Sequence, residues 1–155
     1  MLNTEIEKYW SEFKNTLSEE EKNIRDKYTA EQWGDSAEMA DRLSSLILSG
    51  KKTASSSALW DHEADNSPLP VIGGLTIVLN GKNKPVCIVE TTDVQIIPFE
   101  KVDETIAFLE GEGDRSLEYW RTVHWNFFTR SLDKIDLQPK MNMPVVCEKF
   151  KLIYK

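Results

Sequence analysis

The chain has 155 residues, 40% of them apolar, with five Trp, six Phe and four Tyr, which is enough to bury a core and excludes disorder as the overall state. Its formal charge is −7, from 19 basic and 26 acidic side chains, and residues 1–50 carry 6 of the basic and 11 of the acidic ones. Such a balance excludes a protein that lives on non-specific phosphate neutralisation and disfavours double-stranded DNA as a partner, while leaving room for a locally basic pocket.

From the N-terminus, Thr4 and Glu7 have the spacing of a capping box, and Ile6, Trp10, Phe13 and Leu17 recur on one helical face. Ser18 followed by three glutamates predicts a second helix whose acidic first turn suits the helix dipole. Trp33-Gly34-Asp35-Ser36 reads as a turn and cap; Met39, Leu43, Leu46 and Ile47 then mark a third helix, which Gly50 ends. Beyond Gly50 the rhythm is β-like. A strand is expected over Thr53–Leu59, a loop over 60–74, and strands over 75–79 and 86–90 around an Asn-Gly hairpin loop. Val94 to Ile97 extends the second of these and Pro98 closes it. A short helix over Phe99–Leu109, a loop over 110–114, a helix over Ser116–Arg130 and a strand over Val145–Tyr154 complete the chain.

These elements predict an α+β fold, a small mixed β-barrel with flanking helices, preceded by an N-terminal helical extension over residues 1–32. The leading helices either cover a barrel opening or form a homodimer surface. The opening residues have no signal-peptide pattern, and the longest apolar run, Val71–Leu79, is too short to span a membrane. Cys87 and Cys147 lie inside apolar runs, as in a reduced, cytoplasmic protein, and no membrane partner is expected.

Phosphate-loop, dinucleotide, HExxH and CxxC patterns are all missing, so neither a cofactor nor a metal is expected. Three segments carry candidate chemistry. In Gly50-Lys51-Lys52-Thr53-Ala54-Ser55-Ser56-Ser57, two lysines precede a run of hydroxyls. They read either as a cationic helix end before a polar edge strand, or as a desolvated lysine that takes a proton from a hydroxyl. Lys52 and Ser55 would face opposite ways in a regular strand, so pairing them requires an irregular turn. Glu90, in line with Val86 and Ile88, needs a proton or a cation if buried; it is either a structural ion pair or the partner of Lys52. In Gly111 to Phe128, a glycine loop opening a helix offers N–H groups to an anion. There Asp114 or Ser116 caps the helix, Arg115 supplies a cation, and Trp120, Phe127 and Phe128 read as core. His124 and Trp125 lie off that stripe, free to face a ligand. Trp60 is either a lid over a pocket or a surface packing residue.

Together these segments resemble the ASCH domain family, related to the PUA-like RNA-associated barrels. Gly50-Lys51-Lys52-Thr53-Ala54-Ser55 fits the family's G-x-K-x-x-[ST] pattern, and the likeness runs from about Trp33 to Tyr154, which makes residues 33–155 the ASCH unit. The resemblance implies a small barrel with a cleft at the lysine motif and a modified nucleoside or RNA as partner. Its N(4)-acetylcytidine amidohydrolases use a lysine as proton acceptor, a threonine three residues later as nucleophile and a strand glutamate as proton donor. By motif position these roles fall on Lys52, Ser55 and Glu90, with serine in place of threonine. Gly50, Lys51, Trp60, Asp114, Arg115, Ser116 and His124 are the expected substrate contacts. The alternatives are an RNA-binding module or a metal-independent ribonuclease, as another branch of the family implies.

Overall fold

A computed structural model describes residues 2–155. The sheet has five strands: β1 (Thr29–Gln32), β2 (Ala54–Ala58), β3 (Leu75–Leu79), β4 (Pro85–Pro98) and β5 (Pro144–Tyr154). They are ordered β1-β3-β4-β5-β2, with β1 parallel to β3 and every other pair antiparallel. The sheet curls into a half-barrel that leaves β1 and β2 as its two edges, so the fold is α+β as expected.

Three elements depart from the sequence reading. Thr29–Gln32 was not anticipated as a strand, because Thr-Ala-Glu-Gln shows no apolar alternation and gains its ladder only from β3. Helix α4 (Leu59–Asp65) lies in the segment expected to be loop, and left-handed Asn66 ends it. The β3–β4 hairpin is as expected, and β4 runs on for 14 residues through Val94–Ile97 to Pro98, also as expected, with irregularities against β5 between Ile88 and Val89 and between Thr91 and Asp93. The helix expected over Phe99–Leu109 divides into a 3₁₀ turn (Phe99–Lys101) and α5 (Glu104–Glu110), because Asp103 starts a new cap on the Ile106 N–H.

The sheet is covered on both faces. On the outer face, α1 (Leu2–Lys14) lays Phe13 against Leu75, Ile77, Leu79 and Ile88. Helix α2 (Glu19–Ile24) follows, capped by Ser18 as expected, whereas α1 begins ahead of Thr4. On the other face, α3 (Ala37–Leu48), capped by Ser36, puts Ile47 against Val78, Cys87, Val89 and Phe150. Helix α6 (Leu117–Asp133) buries Trp120, Phe128 and Leu132 against Phe99, Val102, Ile106 and Val145. None of the helices among the described residues is long and apolar enough to cross a membrane.

Phe13 is 2% exposed and its ring lies 5.2 Å from that of Tyr154. Phe13→Ala is therefore expected to cost about 3–5 kcal/mol, read as a lower urea midpoint at unchanged slope.

Candidate functional site

Gly50 has a φ of +83°, which a side chain resists, and it turns the chain sharply at the end of α3. The Lys51 and Lys52 N–H groups both donate to the Leu46 carbonyl, so Lys51 points to solvent and Lys52 points in. Lys52 is 2% exposed. Its ammonium meets Glu110 Oε1 at 3.4 Å and Glu112 Oε2 at 3.3 Å. Both carboxylates come from the short link between α5 and α6, pressed onto the lysine turn at Gly111. That glycine has a φ of +72°, and a Cβ on it would come within 2.3 Å of the Lys51 carbonyl oxygen.

Glu110 is the hub. Its Oε1 also meets His124 Nε2 at 3.3 Å, and its Oε2 accepts from Ser56 Oγ at 2.6 Å and from Trp120 Nε1. His124 Nδ1 lies 2.9 Å from the Trp120 carbonyl, and the two rings stack 4.2 Å apart. Burial alone would raise the Glu110 carboxyl, but His124 and then Lys52, with the hydrogen bonds from His124 and Ser56, hold it well below its ordinary range. Burial alone would likewise lower the His124 imidazole; the charges of Glu110 and Glu112 and the hydrogen bond to Glu110 outweigh that and raise it. Glu112, 8% exposed, keeps one oxygen, Oε1, without any hydrogen-bond partner.

Glu110, Glu112 and His124 offer three ligand atoms within 4.8 Å of one another, as a metal site would. The Lys52 ammonium, however, already bridges the two carboxylates, so a metal ion would have to enter beside a fixed positive charge. The cluster is accordingly a complete set of charges without one.

A small chamber of about 50 Å3 adjoins this cluster, reached by Lys52, Ser55, Glu110, Glu112, His124 and Phe127. It shares Trp33, Gly34, Ser55, Ser56 and Phe127 with a larger cavity of about 400 Å3. The larger cavity lies between the two sheet edges, bounded by Thr29–Gln32 on one side and Ser55–Ser57 on the other.

Of the three expected catalytic residues, the fold brings Lys52 and Ser55 to one chamber and holds Glu90 apart. On β4, successive residues face opposite ways, and Thr91 lines the cavity. Glu90 therefore joins Ile88 on the outer face, where Arg25 meets it at 2.8 Å and Lys151 at 3.7 Å. The carboxylates that reach Lys52 are Glu110 and Glu112 instead. Of the expected substrate contacts, only His124 lines the chamber. Gly50 and Lys51 shape the turn, and Trp60 packs against the α6 core. Asp114 and Ser116 cap α6 through the N–H groups of Ser116 and Tyr119, and Arg115 braces the Phe108 and Lys51 carbonyls. The aromatic assignment is partly exchanged: Phe127 lines both cavities, while Trp125 packs on Phe99 in the core. Ser56 and the Glu-Gly-Glu link were missed; an acidic pair flanking a glycine ahead of a His-bearing helix was the available signal.

The sequence matches the ASCH domain over residues 29–154. The chain belongs to the ASCH domain family. An ASCH domain from Lactobacillus crispatus JV V101, known from a high-resolution crystal structure, is 31% identical, with a TM-score of 0.89 over 99% of this chain and 94% of that one. Protein EF3133 from Enterococcus faecalis V583 is 32% identical, with a TM-score of 0.84 over 97% of this chain and 89% of that one. A more distant structure, hypothetical protein PH0355, shares the fold at 19% identity and a TM-score of 0.51, over 81% of this chain and 97% of that one. No curated protein matches the sequence.

Two outcomes follow for this ASCH domain. Lys52→Met leaves two buried carboxylates without their cation and is expected to cost about 3–5 kcal/mol by urea unfolding. Glu110, with its depressed value, contributes stability that is complete above the ordinary carboxylate range and lost as pH falls through that value. His124, with its raised value, contributes stability that is complete below its ordinary 6.5 and lost as pH rises through the raised one. Unfolding free energy should therefore crest at roughly pH 5–6.5 and fall on the alkaline side, and His124→Gln should remove that alkaline fall.

Proposed function

We propose that this ASCH domain hydrolyses an acylated nucleobase or nucleoside, an N(4)-acetylcytidine-like amide. The observation that carries the reading is a buried lysine bridging two carboxylates, one with a free oxygen, beside a chamber that opens into a larger cavity. Charges buried at such a cost beside a cavity are a mark of chemistry. A volume of about 400 Å3 suits a nucleoside-sized ligand. The larger cavity has Glu31 and Glu148 in its walls and no Lys or Arg, which favours an uncharged nucleoside over the phosphates of RNA. Lys51, Lys52 and Arg115, the cations an RNA-binding module would use, do not line it.

Ser55 is the nucleophile of this reading, since it lines both cavities while Ser56 is committed to Glu110. Passing a proton from Lys52 to Glu112 along their hydrogen bond leaves a neutral amine and a carboxylic acid. Lys52 then takes the Ser55 proton as Oγ attacks the acyl carbon, and Glu112 protonates the departing exocyclic amine. Water, giving a proton to Glu112, releases the acid from the acyl-Ser55, and Lys52 returns a proton to Oγ. Glu112 thus takes the role that the resemblance placed on Glu90.

Purified protein incubated with N(4)-acetylcytidine should release acetate and cytidine. Ser55→Ala should lower the rate by about 100-fold or more at unchanged melting temperature, Glu112→Gln should lower it as far together with the melting temperature because it breaks the buried pair with Lys52, and Glu90→Gln should leave the rate within about twofold. Wild-type protein that releases no acetate from N(4)-acylated cytidines, or full turnover by Ser55→Ala, would overturn the reading.

A further inference from the structure

The wall of the larger cavity formed by β2 and α4 holds a chain of hydrogen bonds that the lysine cluster does not use. Ser57 Oγ lies 2.8 Å from His62 Nε2, and His62 Nδ1 lies 3.0 Å from Ser67 Oγ. Left-handed Asn66 returns the chain so that the Ser67 N–H donates to Asp65 Oδ1 at 2.9 Å. The Ser67 hydroxyl and N–H hold the Asp65 carboxyl below its usual range. With the Nδ1 proton given to Ser67 Oγ, His62 Nε2 is left to accept from the Ser57 O–H. Helix α4 is held in place by Asp61, whose carboxylate accepts from Ser131 Oγ of α6 at 2.8 Å.

We propose that Ser57, His62 and Ser67 form a second hydrolytic centre in this cavity, with Ser57 as nucleophile, His62 as its base and Ser67 orienting the imidazole. Nucleophile, base and orienting group stand within hydrogen-bond reach in the order that serine hydrolases require. Ser55 and Ser57 share a face of β2 and lie about 7 Å apart along it. Both open to the same cavity, but only Ser57 carries an imidazole. β2 bonds to β5 along one edge only, so alternate N–H groups of its other edge are available to a developing oxyanion. The wall beside the dyad is the apolar run Pro68 to Val71, and the opposite side carries Glu31 and Glu148. The substrate class is therefore a small uncharged carboxylic ester with an aliphatic acyl group.

In the reaction, the Ser57 proton moves to His62 Nε2 as Oγ bonds to the acyl carbon; the ester C–O bond breaks and the alcohol leaves with that proton. Water then gives a proton to Nε2 and attacks the acyl-Ser57, and the imidazole returns the proton to Oγ as the carboxylic acid departs. No step involves Lys52, so this centre succeeds or fails independently of the amide hydrolysis proposed above.

The test uses a fluorophosphonate probe, in which a serine oxygen displaces fluoride from phosphorus, with peptide mapping by mass spectrometry. Ser57 should be labelled in the full-length protein and equally in Ser55→Ala. Labelling at Ser57 should fall at least tenfold in His62→Gln, which keeps a hydrogen-bonding side chain, at a melting temperature matching the wild type. Hydrolysis of p-nitrophenyl acetate should fall in parallel, and Ser67→Ala should lower its rate several-fold without changing KM. Label on Ser55 with Ser57 unmodified would overturn this inference while favouring the amidohydrolase nucleophile. No serine label, or Ser57 labelling indifferent to His62→Gln, would overturn it as well.

Discussion

An ammonium group shared between two carboxylates, out of reach of bulk water, sets the geometry of the whole inner face. Lys52 reaches that position only because the chain reverses at Gly50, and Glu110 and Glu112 reach it only because Gly111 lets the α5–α6 link touch the lysine turn. Taking these charges from water costs several kcal/mol each, which their mutual attraction returns only where the remaining lone pairs are also satisfied. Glu110 meets that condition through Ser56, Trp120 and His124, and Glu112 meets it by half. A plug of aliphatic side chains would fill the same space with less electrostatic risk. Glu112 Oε1 is the one oxygen of the two carboxylates left without a partner.

Curling of the sheet supplies the other half of the site. Since β1 pairs only with β3 and β2 only with β5, the half-barrel does not close, and the opening between those edges becomes the cavity. Strand alternation then sorts the hydroxyls of Ser55-Ser56-Ser57. Ser56 turns in, onto Glu110, while Ser55 and Ser57 turn toward the opening. Three chemically identical side chains in a row are divided between two faces by backbone geometry alone.

Much of this was legible from local pattern. The lysine turn, the serine strand, the Ser18 and Ser36 caps and the β3–β4 hairpin each depend on neighbours within a few residues. The short strand β1 was not legible, because nothing in Thr-Ala-Glu-Gln marks a strand until β3 lies beside it. Glu90 and Glu112 show the same limit at the site. Both are acids at some distance from Lys52, and which one meets it is decided by the face of β4 and by the docking of the α5–α6 link. Trp125 and Phe127 lie two apart on α6, on different sides of the helix, and only the packing of that helix on Phe99 reveals which of them sees the cavity.

The position of β5 bears on how the molecule is made. It is the last strand in the chain and yet lies inside the sheet, between β4 and β2, and Tyr154 near its end contacts both Tyr9 and Phe13 of the first helix. A chain emerging from the ribosome N-terminus first can form α1, α3 and the β3–β4 hairpin, but β2 has no final seat until β5 emerges behind it. The sheet therefore cannot be completed before β5 is made, and until then β2 is an unpartnered strand open to the wrong neighbour.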